Sequence, residues 1–233
     1  GALTAPLAEA AGRVIGLETD SGLIRLHKKE GNLPDNVELI HQDVLKADLN
    51  QLVQLSGNRR LKIIANLPYS ISSPFLFKLI EGHDSIDFAV VMLQKEVGLR
   101  LVAESGTKEY GVPTVMLASC AETTILMRVK PEEFHPRPKV DSVIVRLAFQ
   151  PVPSRVSDLG TIDYNLLKKV VNGAFGQRRK TLLNALSSTG LLDKQAMEQC
   201  ITTSGLQPSI RAERLELEDF VRISRAIRDK KNS

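Results

Sequence analysis

Apolar residues along this chain fall into strand-length runs and one-turn helical stripes separated by polar loops. Leu3 and Leu7 stand one turn apart at the start, and the run through Val14, Ile15 and Leu17 reads as a strand ending in Glu18. A helix is predicted over residues 21–29, a turn at Pro34-Asp35, and a second strand over 37–40 with Asp43 just beyond it. After a short helix near 49–55 and a basic loop at Arg59-Arg60, residues 61–65 form a third strand that runs into Asn66-Leu67-Pro68-Tyr69. A helix follows with Pro74 in its first turn, where a missing N–H costs nothing.

The apolar run of residues 88–93 predicts a buried strand, residues 94–104 a helix, and residues 105–112 a polar loop before a helix opened by Pro113. Two β-rich runs, 123–129 and 143–149, are joined by a connector holding Pro131, Pro136 and Pro138, too stiff to be a central strand. Residues 151–161 read as a linker by composition. The remainder is helical: 165–175, a basic break at Gln177-Arg178-Arg179-Lys180, a stripe through Leu182, Leu183 and Leu186, then 194–203, and a last helix carrying Leu217, Val221 and Ile227.

Strands alternating with helices predict an α/β fold, and the purely helical end predicts a second, smaller domain. Glu18, Asp43 and Asn66 are 25 and 23 residues apart, about one strand-plus-helix unit each. Two acids and an amide are thereby expected at neighbouring strand ends, the edge of an open α/β sheet where ligands bind. Glu18 is the candidate for the two hydroxyls of a nucleotide ribose, and Asp43 for an adenine amino group. Either acid could instead cap the helix that follows. At Asn66-Leu67-Pro68-Tyr69 an amide oxygen and a carbonyl held by Pro68 can accept both hydrogens of a flat exocyclic amine while Tyr69 stacks on its ring. The plainer alternative is a turn, since Asn and Pro are common turn residues. Phe134, in the stiff connector, could reach the strand ends or simply pack in the core.

Composition adds little until it is divided. Residues 1–150 carry 17 Lys and Arg against 18 Asp and Glu, whereas residues 151–233 carry 14 against 9, so the net charge of +4 is C-terminal in origin. That asymmetry suggests an anionic partner such as nucleic acid, although a solvated basic surface would look the same. Cys120 and Cys200 are far apart and the four histidines lack ligand spacing, so neither a disulfide framework nor a metal site is expected. No apolar run approaches the roughly 18 residues of a membrane span and no signal-peptide pattern opens the chain, so the cytoplasm is the expected compartment.

Five motifs, taken together and in order, resemble the ribosomal RNA small-subunit adenine dimethyltransferase family. They are Asn66-Leu67-Pro68-Tyr69, residues 93–97 (Leu-Gln-Lys-Glu-Val), residues 106–111 (Gly-Thr-Lys-Glu-Tyr-Gly), residues 134–142 (Phe-His-Pro-Arg-Pro-Lys-Val-Asp-Ser) and residues 175–182 (Phe-Gly-Gln-Arg-Arg-Lys-Thr-Leu). The C-terminal residues 211–215 and 218–220 extend the resemblance over essentially the whole chain. It implies a Rossmann-like class I methyltransferase domain over residues 1–150 and a helical RNA-binding domain over 151–233. It further implies S-adenosylmethionine as cofactor, and dimethylation at N6 of two adjacent adenosines in the 3′-terminal hairpin loop of small-subunit rRNA. The expected partner is the immature small subunit, and the expected state a monomer.

By the same resemblance Gly1, Glu18, Asp43 and Asn66 line the cofactor, Asn66 with the Pro68 carbonyl holds the target amine, Leu67 completes that catalytic turn, and Tyr69 and Phe134 sandwich the base. Arg178, Arg179 and Lys180 become phosphate contacts. The family has a first strand and a Gly-rich loop ahead of the point where this sequence starts, and Gly1 matches the last glycine of that loop. The sequence is therefore expected to be a piece of a longer chain whose sheet has one more strand; taken literally, it would bind cofactor poorly. Two other readings stay open: a non-catalytic assembly factor docking through its basic helices, and a large-subunit rRNA adenine methyltransferase of the resistance type, against which the motifs at residues 106–111 and 175–182 argue.

Overall fold

A computed structural model describes residues 3–31 and 33–232. Gly1, the one expected site residue outside that range, is not placed. The chain divides into two compact units: residues 1–61 with 73–85, and residues 62–72 with 86–233. Residue 150 lies inside the second.

In the first unit α1 (Thr4–Ala10) leads to β1 (Val14–Glu18), which pairs in parallel with β2 (Val37–His41), Val14 opposite Val37 and Glu18 opposite His41. Between them α2 (Ser21–Glu30) starts where Asp20 accepts hydrogen bonds from the amides of Gly22 (2.7 Å) and Leu23 (3.2 Å). It stops at Gly31, whose φ of 58° lies in the left-handed region that a Cβ disfavours. His27, Lys28 and Lys29 fill its last turn, where the helix dipole favours positive charge. The next helix, α3 (Leu49–Leu55), is capped in the same way by Asp48 on the amide of Asn50. In α4 (Ser72–Glu81), Phe75, Leu76, Leu79 and Ile80 are buried, the i, i+1, i+4, i+5 pattern of a helix with one inward face. Its Lys78 ammonium donates to the carbonyls of Leu45 (3.1 Å) and Ala47, so the cation tethers the β2–α3 loop.

The second unit is built on a four-stranded sheet. Its members are β3 (Leu61–Asn66), β4 (Ile86–Gln94), β5 (Glu122–Val129) and β6 (Ser142–Ala148), in the order β3-β4-β6-β5. Strand β6 runs antiparallel to both neighbours, with Ser142 opposite Gln94 on one side and Val129 on the other. A bulge between Ile125 and Met127 shifts the register of β5, the edge strand. Side chains alternate across a strand, and Ala89, Val91 and Leu93 share the fully buried face with Val143, Val145 and Leu147. On that face α5 (Lys95–Leu101) approaches so closely at Gly98 that a Cβ there would lie 2.2 Å from Cγ2 of Val143. The following α6 (Val112–Ala118) buries Val115, Met116 and Leu117.

A short helix, α7 (Ser154–Asp158), occupies part of the segment read from its composition as a linker. Pro153 opens it, buried Val156 anchors it, and Arg155 bonds Glu218, so the proline that reads as a loop signal acts here as a helix start. Then α8 (Tyr164–Gly176), capped by Asp163, buries Leu167, Val170, Val171, Ala174 and Phe175 along one stripe. Helices α9 (Leu182–Ser187), α10 (Lys194–Thr203) and α11 (Leu217–Asn232) complete the helical part, with Leu186, Met197, Phe220 and Ile223 fully buried. Each such side chain contributes about 1.5–3 kcal/mol on leaving water, offsetting the entropy of ordering short helices that would not persist alone. Among the described residues no helix is long and apolar enough to cross a membrane.

Candidate active site

The expected site residues divide between the two units. In the first, Glu18 ends β1 and Asp43 follows β2, the neighbouring parallel strand, so both carboxylates stand at C-terminal strand ends. The amide of Gln42 donates to the Glu18 carbonyl at 3.0 Å, extending the ladder to the residue before Asp43. Both acids are half-buried. Neither caps a helix: Asp20 caps α2 and Asp48 caps α3. Glu18 instead accepts the Asp20 amide on Oε1 at 2.8 Å, and Asp43 accepts the Leu45 amide on Oδ1 at 2.9 Å. Each acid is thus oriented through one oxygen, and among the described residues the other oxygen of each has no protein partner. Oriented carboxylates with a spare oxygen suit the hydroxyl and amino donors of a nucleoside.

In the second unit Asn66 is the last residue of β3 and is exposed. Leu67 is half-buried and Pro68 exposed; Pro68, at φ −53° and ψ 136°, turns the chain into a 3-10 turn of Tyr69–Ile71. The Pro68 carbonyl accepts the amide of Ile71 at 3.1 Å, which fixes its direction and leaves a second lone pair. Tyr69 is half-buried, and its hydroxyl lies 2.6 Å from Oγ of Ser142, the first residue of β6. The turn is therefore a real one, as the plainer reading had it. It also presents an amide, a carbonyl and an aromatic ring side by side at a strand end.

Phe134 is half-buried and closes a second 3-10 turn, Pro131–Glu133, with its amide on the Pro131 carbonyl at 3.2 Å. The connector that carries it is braced twice. An ion pair joins Arg137 to Glu132. At its far end the Lys95 amide donates to the Asp141 carbonyl (2.9 Å) and the Lys95 ammonium pairs with the Asp141 carboxylate (3.2 Å). These bonds supply the stiffness expected from the prolines alone.

The basic residues do not act alike. Arg178 donates through Nη2 to the carbonyls of Lys108 (3.0 Å) and Tyr110 (2.6 Å), so it is a strut between the end of α8 and the loop 105–111. Arg179 and Lys180 are exposed, with side chains that have no partner among the described residues. The same loop is held at further points. Its Gly106 amide donates to the Glu213 carbonyl at 2.6 Å, the Tyr110 hydroxyl donates to the Leu215 carbonyl at 2.7 Å, and Ser105 bonds Glu216. Gly106 has φ 84°, and a Cβ there would meet the Arg214 guanidinium at 3.1 Å, so glycine is required. Burial pushes the Tyr110 phenol well above its ordinary range, and the nearby Glu216 carboxylate adds to the effect. Burial is the largest single influence on Glu218 and opposes its ionisation, but the hydrogen bond with Arg155, a backbone hydrogen bond and the charges of Arg155 and Arg222 together outweigh it and hold its carboxyl below the usual range.

Two features escaped the reading of the sequence. The motif at residues 106–111 gave no hint that it straps onto the helical segments, and Ser142 gave none that it partners Tyr69. The one signal in the sequence is a serine directly ahead of an apolar run, at residues 142–145.

Comparison with known proteins finds rRNA adenine methyltransferases. The profile of the family described as ribosomal RNA adenine dimethylase matches residues 1–229. A protein of Desulfotalea psychrophila named ribosomal RNA small subunit methyltransferase A is 47% identical, over 100% of this chain and 80% of that protein. Its namesake from Geobacter metallireducens is 40% identical over 97% of this chain and 82% of that protein. Among solved structures, a dimethyladenosine transferase from Plasmodium falciparum aligns with TM-score 0.71 and 25% identity, over 96% of this chain and 86% of that one. The 23S rRNA methyltransferase ErmE aligns with TM-score 0.64 over 98% of this chain and 87% of that one, and at 23% identity it supports the fold alone.

Proposed function

The chain belongs to the ribosomal RNA adenine dimethylase family, a family of S-adenosylmethionine-dependent methyltransferases, and from that premise we propose how its residues divide the work. The substrate is the pair of adjacent adenosines in the 3′-terminal hairpin loop of small-subunit rRNA, carried by an immature small subunit and dimethylated at N6. Supporting that choice are relatives at 47% and 40% identity that are named for the small subunit, whereas the 23S rRNA methyltransferase, at 23% identity, bears on the fold alone. The reaction takes place in the cytoplasm and the protein works as a monomer. Residues 1–150 form the methyltransferase domain and residues 151–233 the helical RNA-binding domain.

The observation that carries the reading is the turn after β3, where Asn66, the Pro68 carbonyl and the Tyr69 ring are held at one strand end. The Asn66 amide oxygen and the Pro68 carbonyl accept the two hydrogens of the adenine N6 amine, while Tyr69 and Phe134 stack on the extruded base and Leu67 packs beneath. Extrusion costs a few kcal/mol, least in an unpaired loop, and stacking returns about 1–3 kcal/mol per base. Glu18 holds the cofactor ribose, Asp43 its adenine amino group, and Asn66 also contacts the cofactor. When bound, the cofactor supplies a methyl group on a positively charged sulfur, already activated for transfer.

No strong base is needed, because the amine gives up its proton to solvent once the new bond has made it cationic. Asn66 and Pro68 instead orient the nitrogen lone pair and place partial negative charge where the cation develops. For the second methylation only one N–H remains, so one acceptor suffices. Arg179 and Lys180 contact phosphates of the hairpin.

The test is the product. Small subunits lacking the modification, incubated with the protein and S-adenosylmethionine, should yield N6,N6-dimethyladenosine in a nuclease digest of their rRNA. Modified adenosine recovered only from large-subunit rRNA, or none at all with subunit binding intact, would overturn the assignment.

A further inference from the structure

Ser142 is 0% exposed, yet its side chain is polar, and a buried hydroxyl without a partner is costly. Its partner is the Tyr69 hydroxyl at 2.6 Å, a residue 73 positions away in sequence. Strand ladders hold Ser142 on both sides, opposite Gln94 of β4 and Val129 of β5. The residue before it is fixed as well, since the Asp141 carbonyl and carboxylate both bind Lys95. The Tyr69 ring is thereby tied at both ends: at its Cα by the turn that follows Asn66, and at its hydroxyl by a fully buried residue paired on both sides in the sheet.

We infer that Ser142 is a positioning residue for methyl transfer. Its hydroxyl sets the plane of the Tyr69 ring before RNA arrives, so the target base meets a stacking surface already in place. The inference rests on the reading of Tyr69 as that surface. A pre-set ring need not be ordered at each turnover, and binding energy otherwise spent on ordering goes into placing the amine. Without the Ser142 hydroxyl the ring is free to swing, and the adenine held on it moves with it. Cofactor affinity, which depends on Glu18 and Asp43, is untouched.

The experiment has two readouts on the same proteins. The chain has three tyrosines, so labelling them with 13C at Cζ gives a small set of signals, and that of Tyr69 is identified by its absence in Tyr69→Phe. Ser142→Ala should shift the Tyr69 signal and leave those of Tyr110 and Tyr164 in place. In steady-state transfer to RNA, Ser142→Ala and Tyr69→Phe should each lower kcat/KM for RNA about five- to tenfold, the worth of one hydrogen bond. The KM for S-adenosylmethionine should stay within about twofold, because neither change touches cofactor contacts. The double variant should be no worse than either single one, because both remove the same bond. An unmoved Tyr69 signal overturns the inference. So does a Ser142→Ala protein that melts at a lower temperature but keeps wild-type kcat/KM, or a double variant whose loss is the product of the two single losses. If the unsubstituted protein transfers no methyl group while the Tyr69 signal still shifts, the functional reading fails, and the positioning role of Ser142 in transfer with it.

Discussion

Arg178 and Arg179 are neighbours of the same charge, and the structure predicts that they fail differently. Arg178 makes two hydrogen bonds to the carbonyls of Lys108 and Tyr110. Bonds from a charged donor contribute about 1.5–3 kcal/mol when desolvated, but this guanidinium is exposed and competes with water, so the pair contributes about 1–2 kcal/mol in total. For a chain of this size that corresponds to a fall of about 2–8 °C in the melting temperature of Arg178→Ala. Arg179→Ala and Lys180→Ala remove exposed side chains without protein partners and should change stability by no more than about 0.5 kcal/mol. Binding of a small-subunit 3′-hairpin RNA across a KCl series reverses the ranking. Each phosphate contact contributes about 0.7–0.9 to the slope of log K against log salt, so Arg179→Ala and Lys180→Ala should each flatten it by about that much. Arg178→Ala should leave the slope within about 0.3 of wild type, since its guanidinium is held on the loop through Nη2. The reasoning is refuted if Arg178→Ala melts with the wild type and flattens the salt slope as much as Arg179→Ala does.

Other expectations follow from the packing. Tyr110 is buried and its phenol is raised above the ordinary value, so it favours the folded state only while both states are protonated. Above pH 10 the unfolded chain releases that proton and the folded one does not, so the contribution is lost as pH rises, at up to about 1.4 kcal/mol per pH unit. Tyr110→Phe should be about 1 kcal/mol less stable at pH 7, for the lost bond to Leu215. Urea unfolding of the two proteins should then converge between pH 10 and 11, and parallel curves would contradict the assignment. Gly98→Ala places a Cβ 2.2 Å from Cγ2 of Val143, which is fully buried in a central strand and cannot swing away. Overpacking of about 1–3 kcal/mol outweighs the roughly 1 kcal/mol gained in helix propensity. The expected result is a lower urea midpoint at unchanged m-value; an unchanged or higher midpoint would show that β6 yields.

Much of this arrangement is legible in the sequence because it is local. Apolar period and capping residues place the strand ends, and with them Glu18, Asp43 and Asn66, since each sits one to three residues past an apolar run. The stripe of α8 and the break at residues 177–180 are equally plain. What the sequence hides is pairing between distant segments. That Arg178 serves the carbonyls of residues 108 and 110 depends on how the helical part meets a loop some 70 residues earlier. That Tyr69 ends on Ser142 depends on the strand order β3-β4-β6, which no local pattern encodes. The linker reading of residues 151–161 failed for a related reason. Pro153 looks like a breaker until Val156 finds a buried place and Arg155 a carboxylate partner on Glu218. The capping alternative for Glu18 and Asp43 fell to geometry: Asp20 and Asp48, each a few residues further on, do the capping.

The central claim is that the turn after β3 holds the reacting amine. Its most direct test is single-turnover methyl transfer from labelled S-adenosylmethionine to small subunits lacking the modification, comparing the protein with Asn66→Ala. Loss of an oriented acceptor that acts on developing charge predicts a fall of about 10²–10³ in the transfer rate, with cofactor and subunit binding changed far less. Transfer by Asn66→Ala at a rate within a few-fold of wild type, on the same adenosines, would place the chemistry elsewhere.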